Sequence, residues 1–544
     1  MHRLDTSRSY PLYGATGTRA IEQVVTARLA PDALMQRAGL AVARLTLALA
    51  PHARRVWVAC GPGNNGGDGF EAALQLKLRG VVATVTWTGP PPGKPHAPDA
   101  AAARMRALAA GVKVSAEAPP DFDFCIDALL GLGAALDPAR KGNAQIVQWL
   151  QAMHASDVPR LSVDLPSGLD GDTGVMSGVT SSDTASPEVA IDSVAACARP
   201  RSLKRVFCLS LLTLKPGLFT SDGRDQAGEI WFDDLGSVSL PGLPSARARS
   251  DGEPAKCSFA PVAWLLGQDS VASTARSLAA HRSHKGSFGD VAVVGGESDP
   301  QRGSHMTGAA LLAARAALHA GAGRVYVALL GPDSLTVDPQ QPELMFRHQS
   351  ALDFSAMSVV CGCGGGEAIR AALPRILSTA GPLVIDADAL NALVTDSALQ
   401  ALLKARGKRL MPTVLTPHPL EAARLLGTTT VAVQADRLAA AGQLAGQFGC
   451  LVVLKGSGTV IAAPREMSVI NPTGNALLAT AGTGDVLAGM LGAGLAGLGS
   501  QIAGSQGAFS LACSVVFNHG LLADRWLRER PGHALTASAL AVQA

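Results

Sequence analysis

The sequence predicts an α/β protein built as two domains, each a largely parallel sheet wrapped by helices. Three observations carry this. From Arg54 onward, short apolar runs alternate with segments of helical spacing, the pattern of parallel strands joined by crossover helices. A glycine-rich turn follows the first apolar run, where such sheets place a ligand. The alternation then restarts near Gly289, after Gly236–Ser273, a stretch rich in Pro, Gly, Ser and Arg. The 544 residues are too many for one core, and α/β units of ~200–250 residues make two domains sufficient.

Element by element, Ile21–Leu49 reads as two amphipathic helices split at Pro31. Strand-like runs follow at Val56–Cys60, Val81–Trp87, Phe122–Ala128 and Leu161–Leu165, with helical spacing at Phe70–Leu78, Ala100–Ala110 and Ala144–Met153. In the second series Asp290–Val294, Arg324–Leu330, Val359–Gly362, Pro382–Ile385 and Leu451–Leu454 are strand-like, and Gly308–His319, Val486–Leu498 and Ala508–Leu527 helical. The two series share no sequence repeat.

Composition narrows the function. Charged residues are 16%, hydrophobic residues 47% and net charge only +3, which excludes a disordered chain and gives no reason for a nucleic-acid or membrane partner. An apolar composition of this kind is compatible with a homo-oligomer. Nine cysteines form no C-x-x-C pair or zinc-spaced cluster, as in a reducing compartment. Met1–Asp5 lacks an apolar signal core, and Leu487–Gly499 is too short to span a membrane, so a cytoplasmic location is expected.

The densest motif of the first half is Gly61-Pro62-Gly63-Asn64-Asn65-Gly66-Gly67-Asp68-Gly69, between a strand and a helix. Its five glycines are expected to turn the backbone tightly and present N–H groups to a phosphate at the helix start. It is not G-x-G-x-x-G, and a turn held by Asx hydrogen bonds is the plainer alternative. Asp127 and Asp164 fall at later strand ends and should converge with Asp68. Each alone reads equally as a helix cap; together with Asn65 and Ser167 they suggest an oxygen-ligand site for a hard cation.

Asn64–Asp68, Asp127 with the glycine loop after it, and Val163-Asp164-Leu165-Pro166-Ser167-Gly168 resemble, in order, the three main motifs of the NAD(P)H-hydrate epimerase family. Lys215-Pro216-Gly217-Leu218 also resembles it, and the likeness covers about residues 10–240. It implies a Rossmann-like domain in which Asn64, Asn65, Gly66, Gly67 and Asp68, and the loop Gly131, Leu132, Gly133, Ala134, Ala135, Leu136 and Asp137, hold the hydrated dinucleotide. Potassium would be held by Asn65, Asp127 and Ser167, and Asp164 would contact substrate as the catalytic carboxylate. One departure stands out: Val179–Leu211 reads as longer and less strand-like than the family pattern, with Ser181–Pro187 and Ala198–Lys204 as an inserted loop.

In the second half, Gly482-Thr483-Gly484 opens a helix with Asp485 in its first turn, an anion pocket paired with a carboxylate. A helix cap is the plainer reading. No Walker motif precedes Lys455-Gly456-Ser457. His284–Gly289, Met306–Ala313, Val384–Asn391, Leu415–Glu421 and Val453–Thr459 join the helix motif to resemble the ADP/ATP-dependent NAD(P)H-hydrate dehydratase family, of ribokinase-like fold, over about 265–535.

That likeness implies that Ala310, Gly364, His418 and Asp485 contact the hydrated dinucleotide, with Asp485 catalytic. Lys455, Gly456, Ser457, Gly458, Thr459 and Gly484 would hold the adenine nucleotide, and Asp386 and Asn391 would position magnesium or phosphate. The family loop Gly-Pro-Gly-Leu-Gly stands here as Gly362-Cys363-Gly364-Gly365-Gly366. The combined expectation is an epimerase domain at 1–240, a linker at 241–264 and a dehydratase domain at 265–544. Its substrates would be the hydrates of NADH and NADPH, with potassium in the first half and ADP with magnesium in the second. The competing reading is a ribokinase-like small-molecule kinase fused to a non-catalytic dinucleotide-binding module.

Overall fold

The computed structural model describes all residues except 90–96, 134–135, 137–142, 178–204, 238–258, 272–280, 302, 332–334 and 499–504. The chain divides into two compact units, Met1–Asp5 with Tyr10–Val262, and Thr6–Ser9 with Ala263–Ala544. No helix among the described residues is long and apolar enough to cross a membrane.

The first unit holds an eight-stranded sheet of β1 (His2–Arg3), β2 (Arg55–Cys60), β3 (Val82–Trp87), β4 (Lys113–Ser115), β5 (Phe124–Ala128), β6 (Arg160–Val163), β7 (Val206–Leu211) and β8 (Glu229–Asp233). Their order is β1-β8-β7-β6-β5-β2-β3-β4, all parallel except the edge strand β1. After the edge strand β1 the chain enters mid-sheet at β2, runs outward through β3 and β4, then returns to β5 on the other side. The gap between the ends of β2 and β5 is therefore a topological switch point, where open sheets of this kind bind ligands. Strand β2 is buried on both faces. Val56, Val58 and Cys60 enter one core, and Trp57 and Ala59 the other.

Strand β7 corrects the sequence reading. Val206–Leu211, part of the segment read there as less strand-like than the family pattern, pairs in parallel register with both β6 and β8. Its apolar run sits beside a stretch of weak pattern, which masked the alternation. Ser181–Pro187 and Ala198–Lys204 lie outside the described residues.

The second unit's sheet contains β9 (Ala263–Leu265), β10 (Asp290–Gly295), β11 (Arg324–Leu329), β12 (Met345–Phe346), β13 (Ser358–Cys361), β14 (Leu383–Ile385), β15 (Thr413–Leu415), β16 (Leu451–Leu454), β17 (Val460–Ala463) and β18 (Glu466–Ile470). The order is β12-β11-β10-β13-β14-β15-β16-β17-β18-β9, with antiparallel pairs only where β17 meets its neighbours. Ala263–Leu265, expected inside the linker, is thus a strand. A second switch point lies between β10 and β13. Alternate residues again serve two cores, Val291 and Val293 facing one and Ala292 and Val294 the other.

Small residues bring the helices of this unit close. Gly489, in helix Thr483–Leu498, lies so near the Ala313 carbonyl of helix Thr307–His319 that a Cβ has no room. This contact fixes where the helix beginning at Thr483 points.

Candidate active sites

In the first unit the glycine-asparagine motif is not a loop ahead of a helix. Asn64–Lys77 is one helix, and Asn64–Asp68 is its first turn. No glycine from Gly61 to Gly69 has a positive φ. The glycines are required by proximity instead. A Cβ on Gly61 would run into the Leu129 carbonyl, and one on Gly69 would lie 2.7 Å from Ala128 Cβ and Cys60 Sγ. Without side chains there, the helix start sits down on the switch point between β2 and β5.

Above that point lies a cavity of about 460 Å³ lined by Asn64, Asn65, Asp68, Gly131, Leu132 and Asp164, with Lys215 and, from helix Ala15–Thr26, Thr18, Arg19 and Glu22. Asp164 occupies a left-handed backbone conformation (φ 65°) directly after β6. Its Oδ1 accepts from the Lys215 ammonium and from Leu211 N at 3.1 Å. Lys215 is fully buried and also donates to the carbonyls of Leu211 (2.8 Å) and Thr213 (3.0 Å). This buried cation holds Asp164 in place and balances its charge. Burial pushes the Asp68 carboxyl well above its usual range, and Asp164, Glu22 and Glu71 add to the effect.

Asp127 does not converge on the cavity with Asp68 and Asp164. It is buried beneath the floor, accepting from Ser167 N (2.9 Å), Ser167 Oγ (2.5 Å) and Leu129 N (3.3 Å). It therefore shapes the turn that carries Ser167, whose Oγ also accepts from Leu130 N at 2.8 Å. Asn65 donates through Nδ2 to the Leu130 carbonyl at 3.0 Å, while its Oδ1 is buried without a hydrogen-bond partner. A buried acceptor left open, beside a hydroxyl and a carboxylate, is a donor set that fits potassium. In the following loop Gly133 has φ +79°, the Arg19 guanidinium donates to the Leu132 carbonyl at 3.3 Å, and Leu136 is buried. Ala134, Ala135 and Asp137 lie outside the described residues.

In the second unit the switch point carries the loop Gly362–Gly366. Gly362, Gly364 and Gly366 all have positive φ (106°, 57° and 51°), which favours glycine at these alternate positions of the loop. Gly364 packs against Met306 and Ala309 at the start of helix Thr307–His319. Ala310, next along, is fully buried.

Cys363, Asp386 and Asp485 bring their ligand atoms within 4.8 Å of one another. Asp386, after β14, makes no helix-capping bond; its Oδ1 accepts from Lys455 Nζ and Thr416 Oγ1, each at 2.7 Å. Burial opposes the Lys455 charge, yet Asp386 and Glu421 hold the ammonium above its usual range. Burial pushes Asp485 up to about 7, Asp386 adds to this, and Cys363 and Lys455 pull it back. Asp485 sits in the first turn of helix Thr483–Leu498, whose leading N–H groups are the natural anion site. Gly482 (φ +90°) makes the turn, and Gly484 lies against Lys455, where a Cβ would be 3.3 Å from Nζ. Magnesium takes oxygen ligands, so the Asp386 and Asp485 carboxylates suit an ion arriving on phosphates and the Cys363 thiol does not. Asn391 is elsewhere, accepting from Arg424 at 2.8 Å.

Lys455–Thr459 forms the turn between β16 and β17. Gly456 (φ +133°) and Gly458 (φ +66°) shape it, and Thr459 Oγ1 donates to the Gly456 carbonyl at 3.2 Å. His418 caps helix Pro419–Leu426. Its Nδ1 accepts from Leu420 N (3.1 Å) and Glu421 N (3.2 Å), and Glu421 accepts from His418 N at 2.8 Å. Burial and Lys455 lower the His418 pKa; because Nδ1 accepts, the neutral ring carries its proton on Nε2, 3.3 Å from Glu421 Oε1. Burial pushes Glu421 up to about 7, and Asp386 contributes. Sequence reasoning missed Glu421, although the spacing His418-x-x-Glu421 is that of a capping box. Glu22 was also missed, and nothing local in the sequence marks it.

Comparison with known proteins agrees with this arrangement. The family model described as NAD(P)H-hydrate dehydratase matches residues 291–543, and that described as YjeF-related protein N-terminus matches residues 31–196. The bifunctional NAD(P)H-hydrate repair enzyme Nnr of Escherichia coli (strain K12) is 33% identical over 510 residues, covering 90% of this chain and 84% of that protein. The Nnr enzyme of Coxiella burnetii is 30% identical over 97% of both chains. The ADP-dependent (S)-NAD(P)H-hydrate dehydratase of Neisseria meningitidis serogroup B is 44% identical over 253 residues, 45% of this chain and 79% of that one. The chain belongs to the bifunctional NAD(P)H-hydrate repair enzyme family.

Proposed function

We propose that the first unit interconverts the R and S epimers of hydrated NADH and NADPH, and that the second dehydrates the S epimer with an adenine nucleotide, restoring the reduced cofactor. The observation that carries this is the pair of switch-point sites, each with one carboxylate beside a lysine, fully buried in the first and partly exposed in the second. In the first, Asp164 is bound by Lys215. In the second, Asp485 stands next to the Lys455–Asp386 pair.

In the hydrate a hydroxyl sits on the carbon next to the ring nitrogen. The nitrogen lone pair expels it, and water returns from the other face. Asp164 moves a proton and faces the positive charge that develops on the ring. Asn64–Asp68 and the Gly131–Asp137 loop hold the dinucleotide. Asn65, Ser167 and Asp127 would hold potassium, which supplies positive charge under the loop that receives the anionic substrate.

In the second unit the hydroxyl becomes a good leaving group once phosphorylated. Asp485, titrating near neutrality, takes the hydroxyl proton, and the N–H groups at Gly482–Gly484 receive the transferred phosphoryl group. Lys455–Thr459 and Gly484 hold the nucleotide, which we take to be ADP, and Asp386 would hold nucleotide-borne magnesium. His418, Ala310 and Gly364 would contact the substrate. An Asp485→Asn variant that binds nucleotide but dehydrates nothing supports this reading. A wild-type protein that accumulates a stable phosphate ester and ignores the S hydrate sinks it.

A further inference from the structure

Epimerisation by loss and return of water needs two proton-handling groups, because the hydroxyl leaves from one face of the ring and water adds to the other. Asp164 supplies one. Lys215 is not the second, since its ammonium is already committed to Asp164 and to the carbonyls of Leu211 and Thr213.

Glu22 meets the requirement. It projects from helix Ala15–Thr26, a wall of the cavity separate from the strand ends that carry Asp164. It is half-buried, and among the described residues nothing hydrogen-bonds to its carboxyl or pairs with it. The charged groups around it are Asp164, Lys215, Arg19 and Asp99, with Asp68 on helix Asn64–Lys77. Burial and the Asp164 charge raise its carboxyl above the usual range, while Lys215 and Arg19 oppose them. Within one cavity, then, Asp164 is charge-balanced by a lysine, while Glu22 stands on another wall with its carboxyl raised above the usual range by burial, the division of labour expected of an acid and a base.

We propose that Glu22 is the second proton-transfer group of the epimerase site, acting on the ring face opposite Asp164. This rests on the epimerase reading of the first unit. In one direction the Glu22 O–H gives its proton to the hydroxyl, the C–O bond breaks, water departs, and the nitrogen lone pair forms the C=N bond. Water then attacks the same carbon from the other face and the pair returns to nitrogen. The Asp164 carboxylate takes the proton of the attacking water, and exchange with solvent resets both groups. The reverse direction exchanges the two roles.

The test uses full-length protein and measures epimer exchange and S-hydrate dehydration on the same preparation. Glu22→Gln is expected to lower the epimerase kcat about 100-fold with KM within about twofold, and to lose the alkaline limb of the pH profile. A filler or merely structural role would not remove that limb. Glu22→Asp, one methylene shorter, should keep the limb at reduced kcat, which guards against a folding defect in the glutamine variant. A Glu22→Gln protein with wild-type kcat and pH profile overturns the proposal while leaving the epimerase reading intact. A wild-type protein that dehydrates the S form but never exchanges epimers overturns the epimerase reading, and this proposal with it.

Discussion

Lys455 Nζ lies 2.7 Å from Asp386 Oδ1, joining the turn after β16 to the end of β14 at the centre of the second unit's site. Asp386 is almost fully buried, so removing the lysine leaves a carboxylate in a poorly solvated place. Lys455→Met should destabilise this unit by about 3 kcal/mol, and Asp386→Asn in the same chain should recover part of the loss. Thermal unfolding of the single and double variants checks this. Equal transitions in both would show that the pair is not coupled.

The carboxyl of Asp485 is raised to about 7, so it stays protonated over much of the acid range. As the base that receives the hydroxyl proton it must be ionised. Dehydration kcat/KM should therefore rise with pH through about 7 and level off above it. Asp485→Asn should lose at least about 100-fold in kcat while nucleotide affinity changes little. A flat profile between acid and neutral pH would contradict the base role.

Asp164→Asn keeps a side chain of the same shape beside Lys215 but no base. Epimer exchange should fall about 100-fold or more, and dehydration of added S hydrate should be unchanged. Loss of both activities together would mean that the effect is on folding rather than on chemistry.

Asn65 Oδ1 is buried without a partner, and Asn65 shares the Leu130 carbonyl with Ser167, which in turn bonds Asp127. Replacing potassium by a large organic cation should slow epimer exchange and spare dehydration. In Ser167→Ala the residual exchange should no longer respond to potassium. Titration of exchange rate against potassium in both proteins is the check.

Gly489 distinguishes packing from propensity. Ala in place of Gly within a helix normally gains about 1 kcal/mol. Here the added Cβ would meet the Ala313 carbonyl, which belongs to backbone and cannot step aside. Gly489→Ala should therefore destabilise the unit by about 1–3 kcal/mol, read as a lower Tm.

The strand ends were the legible part of the site. Asp164 and Asp485 follow directly from the alternation of apolar runs and helical segments, because each stands where a strand ends or a helix begins. What local pattern missed is what arrives from elsewhere in the chain. Glu22 reaches the cavity from a helix 142 residues before Asp164, and Cys363 meets Asp386 and Asp485 only through the fold. Glycine was misread in kind: Gly61, Gly66 and Gly69 serve close packing at the helix start rather than a tight turn. Asp127 was placed at the right strand end but does not line the cavity, because alternation along a strand does not say which face a given side chain takes.

The central claim, that one chain carries an epimerase and a nucleotide-dependent dehydratase, is tested by a single time course. The full-length protein is given an equal mixture of R and S hydrates of NADH with ADP and magnesium in potassium buffer, and reduced-nicotinamide absorbance is followed to completion. Both epimers should be recovered as NADH, and the S portion alone when Asp164→Asn replaces the wild type. Recovery that stops at the S portion with the wild-type protein, or none at all alongside a stable phosphorylated product, would contradict it.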